Sequence, residues 1–285
     1  MTAPAAPVKP RGILQPGKVA LPLPPLKSAQ PTRFTAFIYG YSGAGKSFML
    51  RSLLENPNLF PALVLVCDAG HATYQDLIDD DHLTVIETPG IDQIDTMIEW
   101  LLKNPHPYKT VCIDNLTELH RSALQSAAKD RVARTSRGTS IVMEQADYGI
   151  ARTQVLNLLS TAAMRMPKVN FVVTALAGDL ADEVSGLTHV VPALAGKLGT
   201  EVPGFFDIVG YLYTKTPTAA ERREAERKGT KAQSSRILVT SQTSTVLQAR
   251  NRGGKLGTEV VDPTFPKIYS MFTERVKPSP KGVTK

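Results

Sequence analysis

Residues 40–47 read Gly-Tyr-Ser-Gly-Ala-Gly-Lys-Ser, which is the pattern Gly-x-x-x-x-Gly-Lys-Ser. The glycines allow the backbone to curl with its N–H groups pointing inward, as a loop that surrounds phosphates requires. An apolar run typical of a strand, 34–39, precedes the loop, and a segment typical of a helix, 46–54, follows it. This context favours a phosphate-binding loop over an ordinary glycine turn. The stretch therefore predicts an α/β nucleotide-binding protein.

The polar residues of the loop have separate predicted roles. Lys46 reaches the β- and γ-phosphates, and Ser47 offers its hydroxyl to Mg²⁺. The helix that begins here adds partial positive charge beside the phosphates. The predicted cofactors are ATP and Mg²⁺, and the predicted nucleotide-binding residues are Gly40, Tyr41, Ser42, Gly43, Ala44, Gly45, Lys46, Ser47 and Phe48.

A carboxylate at the end of another strand completes the predicted magnesium site. The run Thr-Val-Cys-Ile-Asp at 110–114 reads as a buried strand that ends in Asp114. P-loop proteins place the acid that holds magnesium at such a position. The alternative role of Asp114 is to cap the helix that follows from Leu116. We predict that Ser47 and Asp114 bind the metal and that Lys46 and Asp114 take part in catalysis.

Apolar runs alternate with amphipathic helices between residues 33 and 205. Continuous Val, Ile and Leu runs, such as 62–67 and 169–176, indicate a mainly parallel sheet that is covered by helices on both faces. Three later runs, 206–213, 236–241 and 246–249, predict antiparallel strands. We predict a disordered Pro-rich tail at 1–32, one ATP-binding domain at 33–275, and a second disordered tail at 276–285.

Composition sets weaker limits on function. The 285 residues include 33 Lys and Arg against 26 Asp and Glu, a net charge of +7. This excess is compatible with a polyanionic partner but does not require one. No apolar stretch approaches the roughly 18 residues of a membrane helix, and no secretory signal is evident. We therefore expect a protein without a membrane partner in the cytoplasm of a bacterial host cell.

The chain after the second strand resembles the RecA-like ATPases. In that family this strand ends in Asp-Ala-Glu-His-Ala, and the Glu orients the attacking water; here Asp68 is followed by Ala-Gly-His-Ala, so Gly70 stands in place of the Glu. The resemblance implies a RecA-like P-loop NTPase fold with an incomplete catalytic set. It also implies a catalytic role for Thr174 as a sensor of the γ-phosphate, although a β-favouring residue packed in the sheet is an equal alternative. The other candidates for activating water are Asp68, His71, Glu87 and Glu118, each of which also has a structural explanation.

Further segments resemble phage-encoded RecA-like nucleotide-binding proteins of the AAA type. These are Glu-Gln-Ala-Asp-Tyr-Gly at 144–149, Val-Pro-Ala-Leu-Ala-Gly-Lys at 191–197 and Val-Pro-Gly-Phe-Phe-Asp at 202–207. Some members of that family are single-strand annealing or recombination ATPases. The resemblance spans roughly residues 33–250. It implies an ATP-dependent role on single-stranded DNA, self-association into a ring or filament, and recombination or single-strand-binding proteins as partners.

Basic segments are the candidate DNA contacts. The runs 129–137, 222–236 and 250–255 are rich in Lys and Arg, although a solvated charged surface explains each equally well. In RecA-like folds the loops after the fourth and fifth strands line the DNA path, and the resemblance assigns 129–137 and 178–200 to these loops. Neither stretch contains Phe, Tyr or Trp, which favours contacts to the phosphate backbone over base stacking. The predicted DNA-binding residues are Lys129, Arg131, Arg134, Arg137, Lys197, Arg250, Arg252 and Lys255. Two functions remain open at this point: a DNA-dependent ATPase, and a nucleotide-gated DNA-binding or scaffolding protein with negligible turnover.

Overall fold

The computed structural model describes residues 33–77, 80–88, 90–135 and 142–273. The predicted tails at 1–32 and 276–285 lie outside these ranges, and so does Arg137.

Ten strands form the sheet in the described ranges. They are β1 (Thr35–Gly40), β2 (Ala62–Val66), β3 (Leu83–Glu87), β4 (Thr110–Asp114), β5 (Asn170–Ala181), β6 (Thr188–Pro192), β7 (Ile208–Lys215), β8 (Ser235–Val239), β9 (Arg250–Asn251) and β10 (Glu259–Val261). The order is β10-β8-β7-β1-β5-β4-β2-β3, with β6 paired to β5 and β9 paired to β7. The six strands from β3 to β7 in this order run parallel, and β6, β8, β9 and β10 pair antiparallel. The predicted mainly parallel sheet with antiparallel strands toward the C-terminus is confirmed.

Seven α-helices accompany the sheet in the described residues. They are α1 (Lys46–Arg51), α2 (Ile91–Lys103), α3 (Leu116–Thr135), α4 (Gln145–Arg165), α5 (Leu198–Glu201), α6 (Ala219–Arg227) and α7 (Phe265–Thr273). The predicted helix at 46–54 changes at Ser52 into a 3-10 turn, Ser52–Glu55, and a 3-10 segment, Ala69–Leu77, follows β2. None of the helices in the described ranges has the length and apolarity needed to cross a membrane.

Two apolar cores flank the sheet. Phe37 and Tyr39 of β1 face the core under α2, α3 and α4, whereas Ala36 and Ile38 face the core under α1 and α7. Successive residues of a strand point to opposite faces, so a strand buried on both faces must be apolar throughout. This arrangement explains the unbroken apolar runs.

The parallel strands place their carboxyl ends at one edge of the sheet, which we call the carboxyl edge. The loop after β1, Asp68 after β2, and Asp114 at the end of β4 all lie there. Ligands of open α/β sheets bind at this edge. β5 continues past the ends of its neighbours and returns through β6 as a hairpin.

Two predictions for the late strands are wrong. The run 206–213 is predicted to be antiparallel, but β7 pairs parallel with β1, because its chain enters the sheet from the same edge as β1. The second error concerns 246–249. Residues 246–249 do not form a strand, and Val246 makes a single isolated bridge to Val190. The backbone pairs with β7 only at β9, Arg250–Asn251, because the preceding residues turn toward the β5–β6 hairpin.

Candidate nucleotide-binding site

The loop between β1 and α1 requires glycine at two positions for different reasons. Gly45 has φ 93°, a left-handed conformation that strains other residues, and its carbonyl accepts the N–H of Met49 (2.8 Å) to begin α1. A Cβ on Gly40 would lie 2.3 Å from the carbonyl oxygen of Leu212 in β7. The strand that carries the loop therefore packs against its neighbour more closely than a side chain allows.

Lys46 is buried at the mouth of the loop. Its Nζ donates to the carbonyl oxygens of Gly40 (2.8 Å) and Tyr41 (3.0 Å). Burial lowers the pKa of Lys46, and the negative charges of Asp114 and Asp68 oppose this shift. The two carboxylates therefore help to keep a cation where phosphates would enter.

A buried hydrogen-bond network joins the predicted metal-binding residues. The Tyr74 hydroxyl donates to Asp114 Oδ2 (2.8 Å), and Thr174 Oγ1 donates to Asp114 Oδ1. Burial, and then the charge of Asp114, raises the pKa of Tyr74, so its hydroxyl stays protonated. The Ser47 side chain lies close enough to Tyr74 to oppose this rise of its pKa. The structure thus brings the predicted residues Ser47, Asp114 and Thr174 together around Tyr74.

Tyr74 is the member of the site that sequence reasoning missed. It lies in the 3-10 segment Ala69–Leu77, which has no clear helical or strand periodicity. A tyrosine in such a segment carries no motif that points to a site. The segment that resembles the RecA-like strand end, 68–72, ends two residues before Tyr74 and therefore does not include it.

The donor set fits magnesium that is shared with phosphates. Ser47 and Asp114 offer oxygen atoms, and Mg²⁺ is bound by one or two carboxylates together with substrate phosphates. Within the described ranges, no group of three or more His, Cys, Asp or Glu side chains is placed to hold a metal alone. A metal at this site would therefore depend on the nucleotide for its remaining ligands.

Asp68 occupies the space beside Gly70. Its Oδ1 accepts the N–H of Gly70 (2.7 Å), and its Oδ2 accepts Nδ2 of Asn115 (2.6 Å). A Cβ on Gly70 would lie 2.5 Å from Asp68 Oδ1. Another candidate acid, Glu118, forms an ion pair with Arg121 (2.9 Å). Asp68 is therefore the carboxylate closest to the position where the resembling family has its Glu.

The loop also contacts the β5–β6 hairpin. The Tyr41 hydroxyl donates to Asp179 in β5, and the Tyr41 ring meets that of Tyr211 edge-on, with centroids 6.3 Å apart. The hydrogen bond to Asp179 raises the pKa of Tyr41 to about 12. The phosphate-binding loop and the hairpin are thus joined by a side-chain bond.

Four of the predicted DNA-binding residues lie around the ends of α3, α4 and α5. Lys129, Arg134 and Lys197 are exposed. Arg131 instead pairs with Asp147 (3.0 Å) and Glu144 (2.7 Å) at the start of α4, so its charge is largely engaged within the protein. The amino ends of the parallel strands form the second edge of the sheet, which we call the amino edge. The last residue of α4 lies near this edge, because β5 begins a few residues later. The first residue of α4, beside Arg131, therefore lies one helix length, about 30 Å, from the amino edge.

The remaining described residues of the predicted DNA-binding set lie near the amino edge of the sheet. Arg250 and Arg252 donate to the carbonyl oxygens of Pro203 (2.9 Å) and Gly204 (3.0 Å), beside the first residues of β7. Lys255 donates to the carbonyl oxygen of Phe272 (2.7 Å). The structure therefore does not join 250–255 to the nucleotide site or to Lys129 and Arg134.

The chain is similar to a family of known proteins and to several solved structures. Residues 32–253 match the family described as AAA domain. One similar solved structure is the RadB recombinase, with 14% identity over 81% of this chain and 87% of that chain and a TM-score of 0.43. Another is the ATPase domain of G40P, with 12% identity over 84% of each chain and a TM-score of 0.41. A third is the flagellar accessory protein FlaH from Methanocaldococcus jannaschii, with 10% identity over 81% of this chain and 85% of that chain and a TM-score of 0.40. No curated protein matches the sequence. With its phosphate-binding loop and the family match over 32–253, the chain belongs to the AAA domain family and is a P-loop ATPase.

Proposed function

We propose that this protein binds Mg-ATP, hydrolyses it slowly by itself, and acts on single-stranded DNA in phage recombination or annealing. The observation that carries the nucleotide part is the convergence of Ser47, Asp114 and Thr174 around the Tyr74 hydroxyl, beside Lys46. The end of β4, the middle of β5, the 3-10 segment after β2 and the start of α1 contribute to this one cluster.

Each residue of the cluster has a defined task toward the nucleotide. The backbone N–H groups of the loop and Lys46 bind the phosphates, while Ser47 and Asp114 hold the metal. Bound Mg²⁺ neutralises charge that develops on the phosphate oxygens. Thr174 holds Asp114 by donating to its Oδ1, which keeps the carboxylate oriented toward the metal.

Slow hydrolysis follows from the state of Asp68. It is the carboxylate best placed to orient a water, but the Gly70 N–H and the Asn115 amide already occupy an acceptor position on each oxygen. These two bonds leave fewer acceptor positions on the carboxylate for a water. A contact that releases Asp68 or supplies another group would accelerate turnover.

Contact with single-stranded DNA is supported by exposed cations on the side of the chain away from the amino edge. Lys129, Arg134 and Lys197 are exposed, and they are suited to phosphate contacts. The hydrogen bond between Tyr41 and Asp179 connects the β5–β6 hairpin to the phosphate-binding loop, so that DNA bound near the hairpin can affect the loop. Assembly into a ring or filament, and contact with recombination or single-strand-binding proteins, belong to the same proposal.

The decisive experiment measures ATP turnover with and without single-stranded DNA, together with the mass of the complex. We expect DNA to raise the turnover rate and DNA binding to weaken steeply with salt. The double variant K129Q/R134Q should lose this stimulation, whereas K103Q/K168Q, which removes two exposed cations outside the basic runs, should keep it. Rapid turnover without DNA contradicts slow intrinsic hydrolysis, and salt-insensitive or absent DNA binding contradicts the DNA role.

A second candidate is a nucleotide-gated DNA-binding protein with negligible turnover. Gly70 at the position of the family's Glu favours it. DNA binding that depends on ATP, without phosphate release under any condition, would select this alternative.

A further inference from the structure

We propose that Phe48 and Arg236 form the contact for the nucleotide base. This inference rests on the proposed binding of ATP and assigns the end of the ligand that the phosphate-binding loop does not hold. Arg236 lies in β8, nearly 200 residues beyond the loop, and belongs to no nucleotide-binding motif.

Arg236 packs directly against the loop. Its Nε lies 2.6 Å from the position that a Cβ on Gly45 would occupy. Its guanidinium carbon lies 4.5 Å from the centroid of the Phe48 ring, the geometry of a cation–π contact. Phe48 is the residue after Ser47, and 54% of it is exposed. An exposed aromatic ring and a planar cation are thus held together beside the last residues of the loop.

The order of the strands determines which end of a nucleotide faces this pair. β5 and β4, which carry Thr174 and Asp114, lie on one side of β1, whereas β7 and β8 lie on the other side. The terminal phosphate and its metal belong beside Asp114. The sugar and base must then extend toward β8, where Arg236 is placed.

A cavity of about 370 Å³ opens at this position. Its walls include Phe48, Arg51, Ser52, Arg236, Pro263 and Thr264. Sites for small ligands begin at about 300 Å³, so the space suits one base with part of its sugar. The cavity is large enough without any rearrangement of the sheet.

Hydrogen bonds fix the walls of the cavity. Ser52 Oγ accepts the N–H of Phe265 (2.8 Å), which connects the 3-10 turn after α1 to the start of α7. The backbone N–H of Arg236 donates to Asp262 Oδ1 (2.9 Å). In the described part of the chain no carboxylate pairs with the Arg236 guanidinium, whereas Arg51, the second cation near Phe48, pairs with Asp76 (2.5 Å). A base can therefore contact the Arg236 guanidinium without first breaking an ion pair among the described residues.

Arginine suits this role better than lysine. A guanidinium stacks on a planar ring and donates hydrogen bonds to ring nitrogens, whereas an ammonium group acts as a point charge. Substitution by lysine therefore separates base stacking from simple attraction to a phosphate.

The test compares ATP with inorganic tripolyphosphate, which has the phosphates but lacks the sugar and base. Calorimetric titrations in Mg²⁺ would use the wild type, R236A, R236K, F48A and F48L, with R223A in α6 as the control. We expect R236A, R236K and F48A to bind ATP roughly 5- to 30-fold more weakly, and to bind tripolyphosphate within about twofold of the wild type. F48L retains apolar bulk without a ring and should resemble F48A, and thermal unfolding of each variant reports its folding.

Each contrary outcome has a distinct meaning. Equal weakening of ATP and tripolyphosphate by R236A, with rescue by R236K, would show a phosphate contact and overturn the base assignment. Unchanged ATP binding in both R236A and F48A would overturn it as well. If the wild type binds neither compound, the proposed ATP binding itself fails.

Discussion

Replacing Thr174 by valine tests whether the buried network controls the metal-binding carboxylate. Thr174 is 1% exposed and donates from Oγ1 to Asp114 Oδ1. Valine has nearly the same shape, so the substitution removes one hydroxyl donor and little else. A hydrogen bond to a charged acceptor contributes about 1.5–3 kcal/mol, which corresponds to roughly 10- to 150-fold in an equilibrium or rate constant.

Two measurements should register this loss. We expect T174V to lower the free energy of unfolding by about 1.5–3 kcal/mol in urea titrations at neutral pH. We also expect its ATP turnover to fall by at least about tenfold with little change in ATP affinity, because Asp114 is no longer held in the orientation that the metal requires. Circular dichroism and phosphate release are suitable assays.

The matched control is T174S, which keeps the hydroxyl and loses one methyl group. That methyl contributes about 0.8 kcal/mol to stability, so T174S should be slightly destabilised and retain its turnover. Wild-type stability and turnover in T174V would refute the network as the determinant of Asp114. Equal losses of turnover in T174S and T174V would show that packing, rather than the hydroxyl, is responsible.

Three other predictions concern the same edge and the α3–α4 contact. K46A should abolish nucleotide binding or turnover and preserve the circular dichroism spectrum; unchanged ATP affinity and turnover would contradict the assignment of Lys46. D68N should reduce turnover on the order of a hundredfold while E118Q changes it little, and the reverse pattern would identify Glu118 as the group that orients water. The hydrogen bonds from Arg131 and from the Glu144 N–H lower the pKa of Asp147. Ionised Asp147 therefore stabilises the fold at neutral pH, and this stabilisation is lost as the pH falls below about 4. In R131A the melting temperature should depend less on pH in this acid range, which thermal scans at several pH values would measure.

The parallel sheet could be predicted from the sequence, and so could the proximity of Ser47, Asp114 and Thr174. The loop motif fixes Lys46 and Ser47, and buried apolar runs identify the parallel strands. In a parallel sheet the carboxyl ends of the strands share one edge, so Asp114 and Thr174 must lie near the loop. Local pattern and sheet geometry together were sufficient for this part.

The remaining contacts depend on tertiary packing that no local pattern encodes. Tyr74 reaches Asp114 from an irregular segment, and Arg236 reaches Gly45 from an antiparallel strand late in the chain. The basic residues show the same limit. Arg131 and Lys129 are two residues apart in one helix, yet the first is engaged by Asp147 and the second is exposed.

The 3-10 segment Ala69–Leu77 links the separate parts of the site. Gly70 holds Asp68, Tyr74 bonds Asp114, and Asp76 pairs with Arg51 in the wall of the base cavity. A metal that binds Asp114 must compete with the bond from Tyr74, since that buried hydroxyl remains a donor throughout the physiological pH range. Tyr74 shares its segment of nine residues with the contacts of Asp68 and Arg51. We therefore predict that metal binding, the orientation of water and the shape of the proposed base cavity are coupled through one short segment.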